Sequence, residues 1–211
     1  MGLFDFFKRE KPIKGYLSYY NLVDWWLNDF SEKERNFIIN KYKSENEKNP
    51  LTEIEFYGTS RTVISFLSDM FNYMSEEKTI QQIISKKIYE LFDKNDSNMI
   101  LDMHFFLQSK IEFAYEDKEN QLYLNNLIDA CNEQINFANI SSKAFKKEYK
   151  KEPLPSHTGY KRLAITLEKE KRYKEAIKVC KKALSQKWAG DWEHRMERCQ
   201  KKLDKQKNLM V

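Results

Sequence analysis

Apolar residues recur at every third or fourth position through most of the chain, which is the spacing of amphipathic helices. This periodicity predicts helices over residues 19–30, 31–42, 61–74, 78–93, 98–116, 120–138, 160–170, 173–186 and 191–208. Ser31 followed by Glu34 is a capping-box pattern, which predicts a helix start at that point. The sequence therefore predicts an all-α fold with more than about 65% helix and at most one short sheet, far above the average helix content.

Glycine and proline are scarce, with 5 Gly and 4 Pro among 211 residues. Sheet-rich folds use more of both residues in their tight turns, so this composition also favours helices. Pro153 and Pro155 lie in a lysine-rich stretch over residues 140–156 and cannot continue a helix there. We interpret residues 140–156 as a partly ordered connector.

The segment from Tyr160 to Ala183 reads YKRLAITLEKEKRYKEAIKVCKKA and has apolar residues of alternating size at fixed spacing. Its eight characteristic positions are Tyr160, Leu163, Ala164, Leu167, Tyr173, Ala176, Cys180 and Ala183. They resemble the tetratricopeptide repeat, a 34-residue pair of antiparallel helices. Small residues are needed where two such helices cross closely, and larger residues fill the grooves on either side. The alternative is a generic amphipathic hairpin.

Two positions depart from the family pattern. Lys171 stands where the turn usually has Gly, and Trp188 stands where Pro normally closes the repeat. A weaker, degenerate copy lies upstream, carried by Ile111, Tyr115, Leu127, Ile128 and Cys131. The resemblance covers residues 157–208 well and residues 103–138 weakly. It implies a stack of helical hairpins, on which residues 191–208 are expected to form a capping helix, with Trp192, Met196, Cys199 and Leu203 on its inward face.

Three parts of the chain are expected. Residues 1–15 are predicted to be a flexible amphipathic N-terminus, residues 16–95 a helical N-terminal region without a recognised motif, and residues 96–211 a tetratricopeptide-like helical region. Within the first part, residues 3–7 (Leu3, Phe4, Phe6 and Phe7 among them) form a short apolar block. Contact of this block with a membrane surface is the less favoured interpretation, beside docking onto the protein or fraying.

Charge is unevenly distributed along the chain. The whole protein has a net charge of +5, but residues 141–211 contain 21 Lys and Arg against 9 Asp and Glu, a net of +12. The preceding residues therefore sum to −7. This asymmetry indicates either two domains or one domain with a polarised electrostatic field; the alternative is simply lysine-rich, solvated helix faces.

The chain lacks the usual signs of catalysis or metal binding. Its five glycines are scattered, so no phosphate-binding loop of the common kinds is present. His104, His157 and His194 are not spaced with cysteines or carboxylates as a metal site requires. Cys131, Cys180 and Cys199 form no C-x-x-C pair and are expected to be reduced. We expect no enzyme activity, no cofactor and no metal.

Location is predicted from the same features. No apolar run approaches the length of a membrane span, and the first residues do not have the pattern of a secretory leader. Together with the reduced cysteines, this predicts a cytoplasmic protein. Its composition, rich in Lys, Asn, Ile and Tyr, resembles that of proteins from AT-rich genomes. The first 95 residues resemble helical proteins of low-GC bacteria and their phages, a resemblance that implies a bacterial or phage source but no function.

Two surfaces are candidates for binding. The family resemblance implies that the first helix of each hairpin lines a groove for a peptide, which would be contacted by Lys110, Phe113, Lys161, Arg162 and Ile165. The alternative is a phosphate-binding stripe on the last helix, formed by Arg195, Arg198, Lys202 and Lys205. The sequence thus favours a non-enzymatic module that binds a protein or peptide, an adaptor or a regulator, with a nucleic-acid-associated protein as the alternative.

Overall fold

The computed structural model of the chain describes residues 12–42, 48–117, 122–150 and 154–208. Of these residues 73% are helical and 3% lie in strands, so the all-α prediction is confirmed. The chain divides into two compact units, an N-terminal unit of residues 1–91 and a C-terminal unit of residues 92–211. The predicted apolar block at residues 3–7 lies outside the described residues.

The N-terminal unit contains five helices within its described residues. They are α1 (Gly15–Tyr19), α2 (Val23–Asp29), α3 (Glu32–Lys41), α4 (Val63–Tyr73) and α5 (Lys78–Leu91). Helix α4 packs on α5, and the buried faces of both are those that the periodicity predicts, since Phe66, Leu67, Met70, Ile84 and Ile88 are fully buried. The capping box at Ser31 is formed, because Ser31 Oγ accepts from the Glu34 amide at 3.3 Å and the Ser31 amide donates to the Glu34 carboxylate at 2.8 Å.

The prediction of a single helix over residues 19–30 is wrong. Helix α1 ends at Tyr19, and Asn21 adopts a left-handed backbone conformation with φ of 56°, which asparagine tolerates better than most residues. The Leu22 amide then bonds to the Leu17 carbonyl at 2.7 Å and closes the turn. Helix α1 packs tightly against the segment after α3. The approach is so close that a Cβ on Gly15 would lie 2.3 Å from the Leu51 backbone.

The C-terminal unit is a run of helices in which each packs on the next. Its elements are α6 (Ser97–Glu116), α7 (Tyr123–Tyr149), β1 (Leu154–Ser156), α8 (Thr158–Lys169), α9 (Tyr173–Ser185), β2 (Trp188–Ala189) and α10 (Trp192–Asn208). Helix α6 also contacts α8, and β1 pairs in parallel with β2. Helices α8 and α9 form a hairpin, in which Tyr160 at the start of α8 donates to the Gln186 side chain just after α9 at 2.9 Å.

The predicted connector over residues 140–156 is largely wrong. Helix α7 was expected to end near residue 138, but it continues to Tyr149 because Ser141, Ala144 and Phe145 extend its buried face. It ends at Lys150, which has a left-handed φ of 48°. Pro155 then lies in strand β1, where its exposed position suits a residue without an amide proton.

The characteristic positions of the repeat segment form the interior of the α8–α9 hairpin. Seven of the eight are buried and Tyr173 is half-buried. Ala164, Ala176, Cys180 and Ala183 are 0% exposed, as expected for a close helix crossing. Lys171, at the position where the family has Gly, has a φ of 59°, so this turn does adopt the left-handed conformation that glycine favours.

The close crossing makes Ala176 sensitive to enlargement. We expect Ala176→Leu to lower the free energy of unfolding by about 1–3 kcal/mol, because no space exists for the added carbons. Chemical denaturation followed by circular dichroism measures the change. Lys178→Leu brings the same residue to an exposed site on the same helix and should change stability by less than about 0.5 kcal/mol. Equal stabilities for the two variants would contradict this packing.

Candidate functional site

The five residues predicted to line a peptide groove lie on two neighbouring helices, α6 and α8. We call this surface the α6–α8 face; it comprises Lys110, Phe113, Lys161, Arg162 and Ile165. Lys161 is exposed, and the other four side chains are half-buried. Because α6 and α8 contact one another, the fold places the two predicted sets of residues on adjacent elements.

Two of the three cations on this face are engaged within the protein. The Arg162 guanidinium donates to the Glu112 carboxylate at 2.7 Å and lies 3.9 Å from the centroid of the Tyr115 ring, so it joins α8 to α6. Lys110 donates to Glu133 at 2.6 Å and joins α6 to α7. Lys161 is therefore the cation of this face that is best placed to contact a partner.

The basic stripe on α10 is organised around one carboxylate from α8. Glu168 accepts from Arg195 at 2.7 Å, from Arg198 at 2.8 Å and from Lys202 at 2.9 Å. Its side chain is only 10% exposed, and the hydrogen bond from Arg198, with that from Lys202, lowers the pKa of Glu168 to about 2. Three of the four predicted phosphate ligands thus bind an internal anion, while Lys205 is exposed.

An open apolar groove between α9 and α10 was not predicted. It has a volume of about 560 Å³ and is lined by Ile177, Lys181, Met196, Glu197, Gln200 and Lys201. Met196 is predicted to lie on the inward face of the last helix, but its side chain is only half-buried. One sequence feature that could have indicated the groove is Ile177, an apolar residue outside the characteristic positions of the repeat segment.

A buried aromatic cluster joins α6, α7, the start of α8 and strand β2. It comprises His104, Phe145, His157 and Trp188, all at most 3% exposed. The centroids of the two imidazole rings lie 5.2 Å apart, and the Trp188 ring stacks on His104 at 5.6 Å. Trp188, which replaces the proline of the family pattern, therefore fills the core beside β1. No sequence pattern indicates the histidine pair, because the two residues come from distant segments.

The two histidines are neutral at physiological pH. Burial lowers the pKa of His104 to about 4, and burial followed by the proximity of His104 lowers the pKa of His157 to about 3. His157 Nδ1 accepts from the Tyr160 amide at 3.3 Å and caps α8. Within the described part of the chain, His104 Nδ1 and His157 Nε2 are buried without a hydrogen-bond partner, so they could not stay charged without disturbing the core.

The cysteines also belong to the core. Cys131, Cys180 and Cys199 are free and buried. Burial raises the pKa of Cys131 to about 12 and that of Cys180 to about 11, which suppresses the thiolate that a nucleophile or a metal ligand requires.

Over residues 12–42, 48–117, 122–150 and 154–208, no three histidine, cysteine or acidic side chains are grouped as a metal ion would need. Nor does any helix of these segments combine the length and the apolar character of a membrane span.

Comparison with known protein families, with curated proteins and with solved structures gives no match for the chain.

The histidine pair makes stability dependent on pH. The unfolded chain binds protons at both histidines near pH 6.5, whereas the folded chain does so only near pH 4 and 3. Stability is therefore fully present above pH 6.5 and falls as the pH is lowered through this window; for His104 the loss should be of the order of 3 kcal/mol at pH 4. Thermal melts between pH 7.5 and 4 measure the dependence, which His104→Phe should flatten.

His194→Phe is the matched control, since His194 is exposed on α10. It should retain the pH dependence of the unmodified protein. A His104→Phe variant with an unchanged dependence would show that His104 is protonated equally in the folded and unfolded states.

Proposed function

We propose that the C-terminal unit is a tetratricopeptide-like module that binds a segment of another protein, and that the chain acts as an adaptor or regulator of a bacterial or phage type. The observation that carries the proposal is the arrangement of α6 and α8. These two helices, which correspond to the first helices of successive hairpins, contact each other. The exposed Lys161 and the half-buried Ile165 lie one turn apart on α8, and the half-buried Phe113 lies on α6. Such a surface offers apolar contact together with a cation for a peptide carboxylate.

The chemistry of the core favours binding over catalysis. Cys131, His104 and His157 belong to residue types that often act as nucleophile or base, but all three are buried and held in their neutral forms. A catalytic group needs access to substrate and a pKa suited to its task, and these side chains have neither. The same free, buried cysteines support a cytoplasmic location.

Nucleic acid is the weaker candidate as partner. Arg195, Arg198 and Lys202 already donate to Glu168, so contact with phosphates would have to compete with a carboxylate that is nine-tenths buried. Phosphate binding by α10 would then depend mainly on its exposed lysines, Lys205 among them, without the two arginines.

The proposal predicts that Lys161→Glu weakens binding of the natural partner. A photoreactive side chain at residue 161, in cells that express the protein, identifies the partner by mass spectrometry of the adduct. With the purified partner, we expect Lys161→Glu to raise Kd about tenfold, because a favourable charge contact becomes repulsive. Lys161 is a better choice for this test than Arg162. An Arg162→Glu change would also place a new carboxylate next to Glu112 and so disturb the protein itself.

Two variants serve as controls. Lys143→Glu reverses an exposed charge on α7 and should leave Kd unchanged. Lys205→Glu tests the alternative on α10 and should also have no effect. If Lys205→Glu weakens binding more than Lys161→Glu does, and log Kd depends steeply on log salt concentration, the module binds phosphates instead.

A further inference from the structure

The α9–α10 groove has an apolar floor above a seam of small residues. Cys180, Ala183 and Cys199 are 0% exposed where the two helices meet. Because these side chains are small, the helix backbones approach closely. Ile177 on α9 and Met196 on α10 then lie beside the seam, half-buried and facing the groove of about 560 Å³.

The rim of the groove is positively charged. Helix α9 contains four lysines and one glutamate, and α10 contains six basic and three acidic residues, so each helix carries a net charge of +3. At the groove itself lie two exposed lysines, Lys181 and Lys201, and one exposed acid, Glu197, so the groove lining has a net charge of +1. The arginines of α10 donate to Glu168 instead of lining the groove. The cations at the groove are therefore lysines, whose long side chains can reach an anionic partner that packs on the apolar floor.

We propose that the α9–α10 groove is a second docking surface, which binds an amphipathic helix of a partner protein. The apolar stripe of that helix packs on Ile177 and Met196, and its acidic residues lie beside Lys181 and Lys201. This surface is distinct from the α6–α8 face, so a chain that uses both can bring two protein segments together.

Charge and shape together select this occupant. A second copy of the chain docked face to face would set one lysine-rich rim against another, which opposes association. A nucleic acid would satisfy the lysines but would leave the apolar floor without a partner of matching chemistry. A helix with one apolar and one acidic face meets both requirements.

The probe for this proposal is a fluorescein-labelled helical peptide of about 18 residues, which suits α10 because that helix is roughly 25 Å long. One face of the peptide carries leucines at helical spacing and the other carries glutamates. A second peptide replaces each glutamate with lysine. Binding to the full chain is measured by fluorescence anisotropy, and we expect the acidic peptide alone to bind. Met196→Glu should weaken it at least about tenfold.

Matched variants separate groove binding from general effects. Ile140→Glu introduces the same charge at an apolar side chain of α7 that is 40% exposed, and it should bind the peptide as the unmodified protein does. Lys181→Glu combined with Lys201→Glu should also weaken peptide binding, although the apolar side chains of the groove floor are unchanged. Lys143→Glu combined with Lys169→Glu makes the same change of net charge at exposed sites on α7 and α8 and should have no effect.

Any of three results would overturn the proposal. They are failure of the acidic peptide to bind, equal weakening of its binding by the two double lysine variants, and unchanged binding of the peptide to the Met196→Glu variant. Dimerisation that Met196→Glu abolishes would assign the groove to a second copy of the chain. Lys161→Glu should leave peptide binding intact, so failure at the α6–α8 face and failure at the α9–α10 groove give different results.

Discussion

The close crossing of α8 and α9 is the constraint on which the C-terminal unit depends. Ala164 and Ala176 have no exposed surface there, and only residues of this size allow the helix backbones to approach so closely. Helix α7 packs on the first helix of this hairpin and α10 packs on the second. The open groove lies between that second helix, α9, and α10.

Electrostatic contacts serve mainly to hold the helices in register. Arg162 joins α8 to α6 by donating to Glu112, and Glu168 accepts hydrogen bonds from three cationic side chains of α10. Each contact uses charged residues that, in the sequence alone, are equally suited to a ligand. The structure therefore narrows the candidate binding groups to exposed lysines such as Lys161, Lys181 and Lys201.

Helix periodicity was sufficient to predict the class of fold and the core of the repeat segment, because apolar burial follows local spacing. Periodicity did not predict correctly where a helix starts or ends when backbone conformation or tertiary packing sets that boundary. The turn at Asn21 interrupts a continuous apolar pattern, and the long α7 is sustained by the burial of Phe145 among residues from other segments. The histidine pair and the α9–α10 groove depend on contacts between distant residues, which one sequence does not reveal. Surface function was accordingly harder to predict than core packing.

The packing of α8, α9 and α10 on one another implies that the three helices unfold together, and native-state hydrogen exchange of the full chain measures this. We expect the most protected amides of all three helices to share one opening free energy, equal to that of global unfolding of the unit, because the seam residues of each helix are buried by the next. Helix α10 exchanging at a much lower free energy than α8 and α9 would contradict it, since the Glu168 network and the small-residue seam would then not join the helices.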